Sequence, residues 1–425
     1  MRRPRFLPDL PRRAWVLLAG DCISFFGNGL ILPFTIIYLT RARGIPIEIA
    51  GFALAVRSVV GLFVGPVAGT LVDRIGARRV LIFAQVTTAV ATVSFIFVHE
   101  PWQAFLASAL NGIGWSSFWP SMQSMLSTVV DPSQRSPMFA VHYASLNLGI
   151  GIGGIIGGVV ANISDPASFE RLFAIDALTF LPVIAILLLA PSLAGAGRAT
   201  DIDQAPATEA DEVGPSGYLQ VLKDRVFVRV VILMVVLTTV GYSQLESSFP
   251  AFATGEGGIS TAMLGLAFAG NTFFIVIAQL LVLRRIEGVR RTRAITVLCG
   301  AWALCWAATI AAGVVDGTAA AVGFISAMVL FAFGETLLSP TIPAIVNDLA
   351  PERLRGRYNA LYSFAWNGGT FFGPALAGLF LGAELALPFF AGLVVACGLA
   401  GAYSLRLERH LPPGTNQIQA EAAGG

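Results

Sequence analysis

Long apolar runs, separated by short charged or Pro/Gly-rich breaks, recur along nearly the whole chain. They predict helices near 14–39, 47–72, 79–98, 102–130, 137–162 and 170–190, and again near 226–253, 261–283, 293–313, 318–347, 357–381 and 385–406. Each run is long enough to cross a hydrocarbon core of ~30 Å as an α-helix. Helices are also one of the few structures that satisfy their own backbone groups in lipid. The expectation is an all-α membrane protein of twelve transmembrane helices in two six-helix bundles. The longest polar stretch, 195–217, carries Asp201, Asp203, Glu209, Asp211 and Glu212. It reads as a linker dividing an N-terminal bundle, 1–194, from a C-terminal bundle, 218–425. The short amphipathic piece from Tyr218 to Arg225 is expected along the membrane surface.

Composition agrees with the pattern. Only 12% of the 425 residues are charged and 56% are hydrophobic, against roughly 25% charged in soluble domains. A soluble enzyme and a nucleic-acid-binding protein are both disfavoured. The basic start, Met1 to Arg13, runs into an apolar stretch too long for a cleaved signal, so it reads as a retained first span. Of the 27 Lys and Arg residues, Arg41, Arg43 and Arg171 fall on one side, Arg57 falls inside a span, and the rest collect on the side of the termini. By the positive-inside rule, both termini are expected in the cytoplasm of a multi-pass cell-membrane protein. Cys22, Cys299, Cys305 and Cys397 lie in apolar runs without metal-ligand spacing and read as packing residues. His99, His142 and His410 form no metal spacing either, and no nucleotide-binding loop or serine elbow occurs. No metal, cofactor or enzymatic activity is expected.

The two halves repeat one another. At an offset of 220 residues, Pro120 falls on Pro340, Ala140 on Ala360, Asn147 on Asn367, Gly149 on Gly369, Gly153 on Gly373 and Gly158 on Gly378. Parallel repeats about an axis along the membrane normal are a transporter architecture, with the substrate site between the halves.

The most specific local pattern lies between the second and third predicted helices: Gly69, Leu71, Asp73, Arg74, Gly76, Arg78 and Arg79. It resembles the G-x-L-a-D-r-x-G-r-k signature of the major facilitator superfamily, with Ala77 where a basic residue is usual. Gly69 would allow close helix approach, Gly76 a tight turn, and Asp73 could face a helix N-terminus. The resemblance implies a gating motif of Gly69, Asp73, Arg74, Gly76 and Arg78, in which Asp73 braces the eleventh helix in the outward-facing state. The fifth helix, dense in glycine from Gly149 to Gly158, resembles the antiporter motif g-x-x-x-G-P-x-x-G-G, with Gly154 in place of proline. The eleventh keeps Gly373-Pro374. His99 to Trp102 and their surroundings resemble a bacterial multidrug exporter subgroup of drug:proton antiporters. A departure is Ser108, which stands where proton-coupled members carry the arginine of R-x-x-q-G; Arg57 is a candidate substitute.

Ionisable groups inside spans are costly unless paired or hydrated, so they mark functional candidates. Glu335, Glu246, Asp21 and Arg57 are the proton-coupling candidates, and Asp176 is a further intramembrane acid, expected near a helix end. Glu335 lies in Gly334-Glu335-Thr336, five residues before Pro340, and resembles the G-E-x-x-x-x-P run of several exporters. Substrate contacts are expected among Asn28, Trp119, Gln123, Tyr143, Asn147, Tyr242, Gln244, Asn271, Tyr362, Trp366 and Asn367, the polar or amphipathic members of the helices that line the cavity in this fold. The expected function is proton-coupled efflux of small amphipathic compounds by a monomer in the lipid bilayer. The alternative is a carrier for a polar metabolite such as a sugar or amino acid, possibly an importer, which Ser108 and Gly154 favour.

Overall fold

The computed structural model describes residue 8 and residues 10–131, 134–189, 216–338 and 340–418. Twelve long helical spans follow one another: α1 (Arg12–Ala42), α2 (Ile47–Ile75), α3 (Ala77–Ile96), α4 (Pro101–Val129), α5 (Arg135–Val160), α6 (Pro166–Leu189), α7 (Arg225–Thr254), α8 (Thr261–Ile286), α9 (Arg291–Ala312), α10 (Gly317–Leu349), α11 (Arg355–Gly382) and α12 (Ala386–Leu407). Ten of them are long and apolar enough to cross a membrane by length and composition. The other two, α4 and α11, are equally long but carry Asn and Ser residues along their length, and α4 Gln as well. Of the expected linker 195–217, residues 195–215 lie outside the described residues. A short helix, Ser216–Lys223, precedes α7.

The two halves pack in the same way. α1 lies against α5 and α6, α2 against α4, and α3 against α4 and α6; α7 against α11 and α12, α8 against α10, and α9 against α10 and α12 repeat each of these contacts six helices later. Contact between the halves runs through α2 on α11 and α5 on α8, a pair that exchanges under the same operation. This is the symmetry anticipated from the 220-residue repeat.

Three spans expected to be continuous are broken, each in the first or fourth position of its half. α1 loosens at Leu32–Phe34, where Pro33 removes a backbone donor, and ends in a π-helical turn, Tyr38–Ala42. α10 is interrupted between Leu338 and Ile342, around Pro340. α7 breaks at Gly241 and again at Glu246 and Ser247. A break frees carbonyls that lipid cannot satisfy, and side chains take them. Trp306 Nε1 donates to Val240 O (2.9 Å), Ser243 Oγ to Thr238 O (2.9 Å) and Gln244 Nε2 to Thr239 O (2.6 Å). Trp302 stacks on Phe331, centroids 4.8 Å apart, and its Nε1 donates to Phe331 O (3.0 Å), fixing α9 against α10. Cys299, Cys305 and Cys397 are buried and Cys22 is half-buried. Beyond α12, the chain folds back on the loop before α9: Ile418 N donates to Val289 O (3.1 Å) and Arg291 Nη1 to Thr415 O (2.7 Å).

Candidate substrate cavity and ion-coupling groups

The packed contacts between the halves lie in the middle of the bundle or toward the face opposite the termini. A side chain at Gly51 would collide with Pro374 O, one at Gly378 with Ile47 O, and one at Gly158 with Thr261 O, so helix backbones touch there. Ser58 Oγ donates to Thr370 Oγ1 (2.8 Å) and Thr261 Oγ1 to Ala161 O (2.6 Å) across the same seams. On the termini side, a Cβ at Gly65, Gly69 or Gly356 meets nothing within 4 Å. Backbone-to-backbone contact between the halves is therefore seen toward the face opposite the termini and not at these three glycines.

The gating motif sits on the termini side. Gly76 joins α2 to α3 at φ +90°, a left-handed conformation that favours glycine. Arg78 Nε donates to Leu187 O (2.6 Å), tying the motif to α6. Asp73 and Arg74 are exposed, and Asp73 has no ion pair among the described residues. Gly69, expected to allow close helix approach, has no neighbouring helix within 4 Å of where a Cβ would stand.

Five of the expected cavity residues gather around Glu335 of α10. Its carboxyl faces the Tyr242 hydroxyl of α7 and the Asn271 amide of α8. Tyr143 of α5 and Tyr362 of α11 lie close enough to interact electrostatically with this cluster. Trp366 packs on Tyr242 with ring centroids 5.0 Å apart. Glu335 is half-buried and Tyr143 is 42% exposed. No basic side chain forms an ion pair with Glu335 among the described residues. Asn147 lies one turn beyond Tyr143 and donates Nδ2 to its carbonyl (2.9 Å).

The remaining candidates are placed elsewhere. Gln244 is fully buried; it bonds Thr239 O and accepts from Ser248 Oγ (2.6 Å), so its polarity serves the break in α7. Asn28 and Trp119 lie inside the N-terminal half, the latter edge-on to Phe118 at 5.3 Å. Asn367 sits in the α2–α11 seam beside Gly61, and Gln123 is exposed.

Two further ion-coupling candidates meet across the halves: Arg57 Nη2 of α2 lies 2.8 Å from Glu246 Oε2, and its guanidinium sits 5.8 Å from the Trp115 ring. The break in α7 leaves Glu246 at the end of a helical turn, directed at α2. Asp21 pairs instead with a residue not anticipated as functional, His142 of α5, at 2.6 Å between Oδ2 and Nε2. Asp176 is not near a helix end; it is buried in mid-α6, accepting from Thr92 (3.4 Å). Among the described residues, no cluster of three or more His, Cys, Asp or Glu could hold a metal.

The Major Facilitator Superfamily model matches residues 17–323 and 254–424. Relatives include a Na(+), Li(+), K(+)/H(+) antiporter of Planococcus maritimus, 26% identical over 389 residues and covering 87% of this chain and 89% of that one. The quinolone resistance protein NorA of Staphylococcus aureus (strain MSSA476) is 21% identical over 398 residues, 94% of this chain and 97% of its own. Among solved structures, a POT family transporter in complex with a thioalcohol-conjugated peptide superposes with a TM-score of 0.77 over 94% of this chain and 97% of that one, at 14% identity; at that distance the likeness speaks for the fold alone. A twelve-span fold with six-helix pseudo-symmetry, a matching loop signature and a family match over nearly the whole chain agree: the protein belongs to the Major Facilitator Superfamily and is a multi-pass membrane transporter.

Proposed function

We propose that this transporter exports small amphipathic compounds in exchange for protons across the cell membrane, with both termini in the cytoplasm. The observation that carries the reading is Glu335, a carboxyl group without a cationic partner, set among Tyr242, Asn271, Tyr143 and Tyr362 where the halves meet. Such a group can exchange a proton with the open cavity, and aromatic walls with a few polar groups suit amphipathic guests. Glu246 is the second proton acceptor. Its pairing with Arg57 is one link between the halves that the transport cycle would break and remake. With the termini in the cytoplasm the molecule faces inward, Asp73 is disengaged, and the gating motif latches only when the open side closes. The names of the two relatives, a cation/proton antiporter and a quinolone resistance protein, support proton-coupled efflux.

Ser108 favours the second reading, a carrier for a polar metabolite. It is buried, its hydroxyl has no partner among the described residues, and it stands where the R-x-x-q-G motif has its arginine. Drug efflux from cells expressing Glu335→Gln, Glu246→Gln or both tests the main reading. Each single change is expected to reduce proton-driven efflux on the order of tenfold or more, about 1.4 kcal/mol or above. Full proton-driven efflux by the double variant would overturn it.

A further inference from the structure

Inside the N-terminal half, helices α1 and α3 turn polar stripes toward each other. Asp21, Ser24 and Asn28 on one, and Gln85, Thr88 and Thr92 on the other, repeat the same spacing of three and then four residues, which keeps each set on one helical face. The first five line a common cavity with aromatic walls and room for roughly one water-sized particle. This cavity is distinct from the Glu335 cluster, which the C-terminal half and Tyr143 build.

The polar atoms here are unevenly matched: two acceptors, Asp21 Oδ1 and Asn28 Oδ1, and one donor, Gln85 Nε2, lack partners among the described residues. Asp21 is 1% exposed; its Oδ2 is taken by His142, while Oδ1 has no partner among the described residues. Asn28 Oδ1 is likewise buried and unpartnered. Ser24 Oγ gives its proton to Thr179 O (3.2 Å) and Thr88 Oγ1 to Ala84 O (2.8 Å), leaving both hydroxyls only lone pairs to offer. Four acceptor oxygens therefore border one small cavity. Gln85 adds a fifth when its amide, whose Nε2 is unpartnered, turns to present Oε1. Unmatched buried acceptors are unfavourable unless something positive or proton-donating lies between them.

From this geometry we infer a binding site for a small monovalent cation, sodium or lithium, on Asp21, Ser24, Asn28, Thr88 and Gln85. Carboxylate, amide and hydroxyl oxygens form a hard donor set, with no thiolate or free imidazole to draw a softer ion. His142 Nε2 lies 2.6 Å from Oδ2 and holds that side of the carboxylate, leaving Oδ1 for the cavity, as a neighbour of a metal ligand does. One carboxylate charge balances one monovalent ion. A divalent ion would leave net charge in an apolar bundle.

The test needs neither a transported substrate nor a proton gradient, so its outcome is independent of the efflux reading. Purified full-length protein in lipid nanodiscs is titrated with radioactive sodium in choline-balanced, mildly alkaline buffer. Saturable binding displaced by lithium, lost in Asp21→Asn and weakened several-fold in both Asn28→Ala and Thr88→Val, is the expected result. Thermal stability of the wild type is measured alongside, and sodium is expected to raise it where choline does not. Absence of saturable sodium binding by the wild type overturns the inference. So does binding that persists unchanged in correctly folded Asn28→Ala and Thr88→Val, or stabilisation by acid alone with no response to sodium.

Discussion

At the scale of single residues, the account turns on what a polar side chain inside a span is for. Glu335 has hydroxyl and amide neighbours and no basic partner among the described residues. Tyr242 approaches this carboxyl and also packs on Trp366. Tyr242→Phe keeps the packing and removes one hydrogen-bonding group, so the variant is expected to fold normally and to move the pH profile of transport. A profile identical to wild type would remove Tyr242 from the coupling site. Glu335, Glu246 and Arg57 were legible in the sequence because a charge among apolar residues is conspicuous. His142 was not, because a histidine counted as neutral raises no such alarm, although it lies within the predicted 137–162 span. Gln244 misled in the other direction: the same polarity that marks a ligand also repairs a broken helix, and only the positions of Thr239 and Ser248 tell which.

At the scale of elements, the ends of the helices were legible to within a few residues, since charges and glycines punctuate them. The breaks were only partly so. Pro33 and Pro340 mark two of them, but α7 contains no proline at its break, where Gly241 fits against Trp302 with no space for a side chain. Close packing of α2 on α11 and α5 on α8 closes one face, so Gly51→Leu and Gly158→Leu are each expected to fold, to hold that face apart and to abolish turnover. Cysteine cross-linking across the seam would read this as lost bridging, and wild-type bridging in either variant would contradict it. The C-terminal strap offers a pH test. Burial alone would raise the Glu408 carboxyl, but hydrogen bonds from Arg290, Arg293 and Thr292 outweigh it and hold the group below its usual 4.5. A depressed carboxyl contributes its stabilisation above the ordinary carboxylate range and loses it as pH falls through the depressed value. Hydrogen exchange in residues 411–418 is therefore expected to stay slow from neutrality down to the ordinary carboxylate range and to quicken below it. Glu408→Gln should make it fast throughout.

At the scale of the whole molecule, the six identities at one offset already contained the symmetry, since the main helix contacts of the first half recur in the second. The direction in which the two halves lean was not legible, because the same glycines serve both the closed and the open end of a rocking pair. The cavity was legible as a list of side chains but not as a place: Tyr143, Tyr242, Asn271, Tyr362 and Trp366 converge on Glu335, while Asn28 and Trp119 turn into the N-terminal bundle. On the proposed reading, cargo movement through this cavity is exchanged for protons at Glu335. It is tested most directly by substrate-induced proton flux in proteoliposomes, with amphipathic cations, neutral drugs and polar metabolites presented to wild type and Glu335→Gln. Proton flux driven by the amphipathic compounds and abolished in the variant is the predicted result. Flux only with a polar metabolite, or drug-driven flux that survives in Glu335→Gln, would contradict it.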